Sequence, residues 1–307
     1  MIGDKDYMVV GKEDVARLFP KLPKRSNKGG MGRVLCICGC ADESGISMCG
    51  AAYFTAMAAY RCGAGIVEIF TDCKNYAPLA SLVPESVFSL YDSGENGQSV
   101  CERLIGEIKK ADAIVIGCGI GKSEMSAKLV RTTLQNAESP MLIDADALNI
   151  LSDNERMWQD LSQHQRRRTV ITPHPGEMSR IIGKSVEEIL KDTVKTANTV
   201  SKKLGVVCLL KDHHTVISNG EKVYVNHSGN AGMATAGMGD VLAGVIGALL
   251  CRTPSPLCQD DILYRVAIGA YLHGVAGDAA ARKTGEYSLM SSDVLTSLPK
   301  AISMLTE

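Results

Sequence analysis

No excess of basic residues marks this chain. Its 33 Lys and Arg are balanced by 34 Asp and Glu, for a net charge of -1. The basic stripe that would track a nucleic-acid backbone is therefore missing, and no nucleic-acid partner is expected. The short run Arg166-Arg167-Arg168 reads as a solvated loop, because adjacent like charges repel and stay wet. A long apolar run is also lacking. The longest, Val241 to Leu250, is broken by Gly244 and Gly247 and is about half the ~20 residues a bilayer span needs. It reads as a buried helix, and no membrane partner is expected. The start carries Asp4, Lys5, Asp6, Lys12, Glu13 and Asp14 with no apolar core among them. This argues against a secretory signal. The 11 cysteines are odd in number and irregular in spacing, which argues against a disulfide framework. A reducing cytoplasmic setting fits them better.

What is present is an alternation of short apolar runs and helix-like segments. Strands are predicted at residues 34–38, 65–71, 113–116, 141–143, 169–171 and 206–210, and helices at 49–63, 123–135, 240–250 and 261–283. Asn219-Gly220 between two short apolar runs signals a hairpin. Such alternation predicts a single α/β domain over residues 1–307, with a lead-in over about 1–27. Its mainly parallel sheet would be covered by helices on both faces. In sheets of this kind ligands bind beyond the carboxyl ends of the strands, so the residues just after each strand are the candidates.

The strongest candidate is Gly232-Met233-Ala234-Thr235-Ala236-Gly237-Met238-Gly239-Asp240, which runs straight into the apolar helix. Free backbone N–H groups and the helix dipole make such a start an anion site. Asp240 is read either as the helix N-cap or as the group that takes the proton of an attacking hydroxyl. Gly117-Cys118-Gly119-Ile120-Gly121 follows another strand; it lacks the spacing of a dinucleotide fingerprint and alone predicts a tight turn. Asp144-Ala145-Asp146-Ala147-Leu148-Asn149 puts two carboxylates and an amide at the same edge, suited to Mg²⁺-phosphate or sugar hydroxyls, with helix capping as the plainer role. Thr172-Pro173-His174-Pro175-Gly176-Glu177 holds His174 in a rigid loop, with Glu177 a candidate first-turn residue of the next helix. Lys211 in Lys211-Asp212-His213-His214-Thr215 is placed to meet a phosphate. The two histidines there point apart if the segment is extended, which argues against a metal pair. Cys36-x-Cys38-x-Cys40 lacks the usual zinc spacing, and Cys36, Cys38, Cys208 and Cys251 are read as small hydrophobes. Ser26 to Arg33 reads as a mobile, basic entry loop.

Together these segments resemble the ADP- or ATP-dependent NAD(P)H-hydrate dehydratases, the kinase-like half of bifunctional nicotinamide-nucleotide repair proteins. The resemblance runs from about Lys28 to Pro299 and also includes Gly63-Ala64-Gly65 and His273-Gly274. It implies a ribokinase-like three-layer α/β/α sandwich and a lyase that restores the S form of NADHX or NADPHX to NADH or NADPH. By resemblance, Asp240 contacts the reacting hydroxyl, and Gly237, Met238 and Gly239 form the anion hole. Lys211, Asp212, His213, His214, Thr215 and Gly239 line the adenine-nucleotide site. Ala51, Gly119, His174, Asp144 and Asn149 join Asp240 at the hydrated substrate. Mg²⁺ is implied with the nucleotide, and a homo-oligomer is expected. The chain departs from the family at Met238, usually serine, at Cys38-Gly39-Cys40, usually a Gly-Gly-Ser type turn, and at Asn27, usually histidine. An epimerase half is not expected, since the resemblance begins near residue 28. Two other readings compete: a vitamin-type small-molecule kinase, which would leave a stable phosphorylated product, and a non-catalytic adenine-nucleotide-binding protein.

Overall fold

The computed structural model describes residues 7–20, 25, 27–41, 45–252 and 258–306; Asp4, Lys5, Asp6 and Ser26 lie outside them. In chain order the elements are β1 (Met8–Val9), α1 (Lys12–Leu18), β2 (Arg33–Ile37), α2 (Cys49–Arg61), β3 (Ile66–Asp72), α3 (Tyr76–Leu82), β4 (Val87–Tyr91), α4 (Gly97–Ile108), β5 (Ala113–Ile116), α5 (Glu124–Asn136), β6 (Met141–Ile143), α6 (Ala145–Asp153) and α7 (Gln163–Arg166). They continue with β7 (Thr169–Ile171), α8 (Pro175–Ile182), α9 (Val186–Leu190), α10 (Thr193–Leu204), β8 (Val207–Leu210), β9 (Thr215–Ser218), β10 (Val223–Asn226), α11 (Met238–Leu250), α12 (Gln259–Thr284) and α13 (Ser291–Thr306). The described strands form one sheet ordered β1-β10-β9-β8-β7-β6-β5-β2-β3-β4. Only β9 runs antiparallel to its neighbours.

Strand alternation divides the interior in two. Val34 and Cys36 of β2 face a core shared with α2, α11, α12 and α13. Leu35 and Ile37 of the same strand face a second core, with α4, α5, α6, α8 and α10. This is the expected three-layer order. The β9–β10 hairpin forms where Asn219-Gly220 predicted it. Gly220 has φ 90°, and Asn219 Oδ1 accepts from the Lys222 N–H at 2.8 Å.

Within the lead-in, Met8 pairs with Tyr224 across β1 and β10, and Val15 is buried. Two expectations are corrected. The arginine run is not a wholly solvated loop. Arg166 donates to the Leu204 carbonyl at 2.9 Å and to the Trp158 carbonyl, and Arg168 donates to the Glu138 carbonyl at 2.8 Å. The five-donor guanidinium is suited to bonding backbone carbonyls in this way. The entry segment around Lys28 is a 3-10 turn at the amino edge of β2, packed so closely on Gly65 that a β-carbon there would overlap the Lys28 carbonyl. That family motif serves packing and lies at the end of the sheet away from the carboxyl-edge residues.

Two glycines set helix α11 against its neighbours. A β-carbon on Gly244 would overlap the Thr55 carbonyl and come within 2.8 Å of Ala58 Cβ on α2. One on Gly247 would come within 2.6 Å of Val115 on β5. The small-residue face of α2 and these glycines let α11 sit low on the sheet, with its N-terminus at the carboxyl edge. Gly244→Ala is expected to destabilise by about 1–3 kcal/mol through overpacking. A lowered urea midpoint at unchanged slope would register it.

Candidate active site

The start of α11 is the centre of the site. Gly237 is its N-cap, in the left-handed region at φ 87°, with no side chain to cap the helix. The conformation favours glycine, and space is short as well. A β-carbon would lie 2.9 Å from the Phe54 ring and 3.0 Å from Ser291 Oγ. Ser291 Oγ also donates to the Ala236 carbonyl at 2.6 Å. Phe54 on α2 and Ser291 on α13 thus brace the glycine loop, and nothing in the sequence marked either of them. Asp240 is the third residue of the helix, so the N-cap reading of it does not hold. The N–H groups of Gly239 and Asp240 have no carbonyl four residues back within the helix and remain free for an anion. Met238 buries its side chain, and its N–H is directed at the Thr235 carbonyl at 3.5 Å.

Charges converge on the same point. Lys211, after β8, donates from Nζ to Asp144 Oδ1 at 2.8 Å and stands 3.8 Å from Glu177 Oε2. A β-carbon built on Gly239 would lie 3.5 Å from Asp144 Oδ2 and 3.6 Å from Lys211 Nζ. Burial opposes the Lys211 charge, but Asp144 and Glu177 more than offset it and raise its pKa. Asp240 is raised to about 6, first by burial and then by the Asp144 charge, against the hydrogen bond from the Cys118 thiol and the Lys211 cation. Asp144 starts α6 without capping it by its side chain, because its carboxylate is committed to Lys211.

The other expected substrate residues surround this centre. Gly119, at φ 63°, lies against Ala51: a β-carbon there would be 2.8 Å from Ala51 Cβ. Asp146 Oδ2 accepts from the Gly121 N–H at 2.9 Å, fixing the glycine turn. Asn149 Oδ1 accepts from Arg180 at 2.6 Å. His174 is the N-cap of α8, where Nδ1 accepts from the N–H groups of Gly176 at 3.0 Å and Glu177 at 3.3 Å. Its Nε2 lies 3.3 Å from Glu177 Oε1. Burial and the Lys211 charge lower the His174 pKa, while burial raises that of Glu177. Both shifts disfavour an ion pair. Glu177 is a first-turn residue of α8 whose Oε2 accepts from the His174 N–H.

Beside Gly239 opens a cavity of about 790 Å³, within the range of small-molecule sites. Its wall includes His174, Lys211, Asp212, His213, Thr215, Met238 and Gly239. Ala51, Gly119, Asp144, Asn149 and Asp240 are not on that wall. His214, expected at the nucleotide, is not on the wall either. Its ring lies 4.2 Å from that of His213 and 4.2 Å from that of His227. The adjacent histidines therefore do not point apart, because residues 212–214 bend rather than extend. Burial and the neighbouring His227 and His213 lower the His214 pKa. Among the described residues no group of three or more His, Cys, Asp and Glu could hold a metal ion, Cys36, Cys38 and Cys40 included.

Comparison with known proteins adds a family setting. The family model described as NAD(P)H-hydrate dehydratase matches residues 34–300. The chain is 36% identical over 287 residues to the bifunctional NAD(P)H-hydrate repair enzyme Nnr of Escherichia coli, covering 93% of this chain and 50% of that one. It spans about half the length of the bifunctional relatives it matches. It is 31% identical to the ADP-dependent (S)-NAD(P)H-hydrate dehydratase of Neisseria meningitidis, covering 87% of this chain and 83% of that one. A solved structure of the ADP/ATP-dependent NAD(P)H-hydrate dehydratase from Bacillus subtilis, co-crystallized with ATP/Mg²⁺, superposes with a TM-score of 0.78 at 25% identity, over 97% of this chain and 99% of that one.

Proposed function

The chain belongs to the NAD(P)H-hydrate dehydratase family, and from that premise we propose that it dehydrates the S form of NADHX or NADPHX, consuming ADP or ATP and releasing phosphate. The observation that carries this reading is the placement of Asp240 in the first turn of α11, beside Lys211 and Asp144. A proton acceptor, a phosphate cradle and a compensating cation come together there.

Hydroxide is a poor leaving group, so the ring hydroxyl is first made into a phosphate ester. The terminal phosphoryl group lies against the free N–H groups of Gly239 and Asp240, with Lys211 beside it. The hydroxyl oxygen attacks phosphorus, its proton passes to the Asp240 carboxylate, and the bond to the nucleotide breaks, leaving AMP from ADP or ADP from ATP. The C–O bond then breaks with its electron pair going to phosphate. Loss of a proton from the adjacent carbon restores the dihydropyridine. Phosphoryl transfer of this kind depends on positioning and charge more than on strong base catalysis. A carboxylate raised to about 6 remains mostly ionised at neutral pH and still holds a proton well enough to accept one.

Ala51 and Gly119 pack against each other, as neighbours in a substrate wall would, and His174 reaches the cavity from the start of α8. Mg²⁺ fits as an ion carried by the nucleotide. Such an ion takes one or two carboxylates along with phosphate oxygens and needs no protein cage. Asp144 and Asp146 are the hard-oxygen donors at this edge. When bound, the ion would neutralise charge on the transferring phosphates. No described helix is long and apolar enough to cross a membrane, and a cytoplasmic setting is part of the proposal.

The test is to incubate the protein with NADHX, Mg²⁺ and either ADP or ATP, monitoring reduced-nicotinamide absorbance and free phosphate together. The expected result is a nucleotide-dependent rise in absorbance with phosphate released in proportion. A stable phosphorylated product without free phosphate would assign a small-molecule kinase instead. Nucleotide binding without turnover on NADHX would remove the repair reading.

A further inference from the structure

Four buried polar side-chain atoms among the described residues have no hydrogen-bond partner: Ser86 Oγ, Ser139 Oγ, Gln165 Oε1 and His273 Nε2. Of these residues only His273 is on the wall of the cavity beside Gly239. Buried polar groups are nearly always paired in folded proteins, and each exception calls for a cause. The ring is 8% exposed and projects from the middle of α12.

The polar residues around it are already satisfied by one another. Asn226 Nδ2 donates to the carbonyls of Ser228 and Ala270, both at 3.3 Å, and its Oδ1 accepts from the Ser228 N–H at 3.1 Å. Asn230 Nδ2 donates to Asp278 at 2.9 Å, and its Oδ1 accepts from the Gly232 N–H at 3.1 Å. The helix bearing His273 is also held tightly to this loop. A β-carbon on Gly274 would overlap Ser228, and one on Gly277 would come within 2.8 Å of the Met233 methyl. His273 is thus a fixed group among neighbours that need nothing from it.

Its charge state suits a neutral ligand atom. Burial, then the Lys211 cation, push the His273 pKa down to about 4. At neutral pH the imidazole therefore offers one donor and one acceptor nitrogen and no charge. Phosphates are served at Lys211 and the start of α11. A nucleotide anchored there by its phosphates has the rest of the wall for its nucleoside, and that wall includes Asn226, Ser228, Ala270 and His273.

We propose that His273 is a specificity-determining residue that hydrogen-bonds the nucleoside of the bound nucleotide, through a ribose hydroxyl or a base nitrogen, and so favours nucleotides over bare phosphates. This rests on the adenine-nucleotide reading of the cavity. The resemblance to the family included His273-Gly274 without giving the histidine a role.

Calorimetry on the full chain with ADP and with inorganic pyrophosphate tests it. His273→Leu is expected to weaken ADP about tenfold, as loss of one hydrogen bond would, and to leave pyrophosphate unchanged. His273→Gln, which keeps a donor and an acceptor, is expected to recover part of the loss. Inosine diphosphate and 2′-deoxy-ADP narrow the partner: the penalty vanishes with inosine diphosphate where the N1 and 6-amino edge is read, vanishes with 2′-deoxy-ADP where the 2′-hydroxyl is read, and persists with both where N3, N7 or the 3′-hydroxyl is read. Should His273→Leu not fold, ¹⁵N-histidine spectra of the unaltered protein give the same answer, with the His273 ring signals moving on ADP and not on pyrophosphate. ADP affinity indifferent to His273→Leu, or equal weakening of ADP and pyrophosphate, would overturn the assignment alone. Failure of the unaltered protein to bind ADP or ATP would overturn the nucleotide reading and this inference with it.

Discussion

Asp240→Asn is expected to lower turnover on NADHX by about 10²–10⁴-fold, the range for a positioned proton acceptor, with nucleotide affinity retained. The asparagine preserves shape and the backbone N–H groups of the anion site. It removes the one carboxylate at the α11 start that can take the hydroxyl proton. The same substitution has a predictable effect on stability. The folded-state pKa of Asp240 is raised from 3.8 to about 6, so the ionised form is less at ease in the folded protein than in the unfolded chain. At neutral pH this opposes folding, and the neutral asparagine relieves it. The thermal midpoint of Asp240→Asn is therefore expected at or above that of the parent above about pH 6. The difference should vanish below about pH 4, where aspartate is protonated in both states. Activity tracks the same titration. kcat/KM of the parent should fall on the acid side of about pH 6 as the carboxylate loses its capacity to accept. Near-normal turnover in the variant would remove Asp240 from the chemistry.

The sequence carried the layer order because apolar runs alternated with helical segments, and it carried the site because chemistry clusters at the ends of those runs. Asp144, His174 and Lys211 each stand at or just beyond the end of an apolar strand, and Asp240 stands at the head of the apolar helix. What escaped has identifiable causes. Strand β1 is two residues long and is defined by pairing with the distant β10, and β4 (VFSLY) carries little apolar periodicity and is defined by pairing with β3. The start of α11 was placed two residues late because a glycine N-cap leaves no side-chain signal. The bend at 212–214 was hidden because its rings are brought together by the return of β10 at His227. Phe54, Ser291 and Cys118 act on the site from α2, α13 and the β5 turn, and only tertiary packing brings them there. His273 belongs to a sequence pattern, but its missing partner is a property of three-dimensional surroundings.

The larger test of the electrostatic arrangement is Lys211→Met. Lys211 is the only cation that the structure places against both Asp144 and Glu177 among the described residues. Asp144 is 2% exposed, and removing the partner of a buried charge destabilises strongly, by about 3–5 kcal/mol. A lowered urea midpoint is therefore expected, in contrast to Asp240→Asn. Turnover should fall by about 10²–10³-fold through loss of charge stabilisation at the transferring phosphate. The diagnostic effect is on pH dependence. Lys211 opposes the burial and the Asp144 charge that raise Asp240, so its removal leaves that carboxylate with a still higher pKa. The acid limb of kcat/KM should then move above its parent position near pH 6, while Lys211→Arg, which keeps the charge, should hold the limb in place. If Lys211→Met lost activity with the limb unmoved, Lys211 would act on nucleotide alone, and its electrostatic coupling to Asp240 would be refuted.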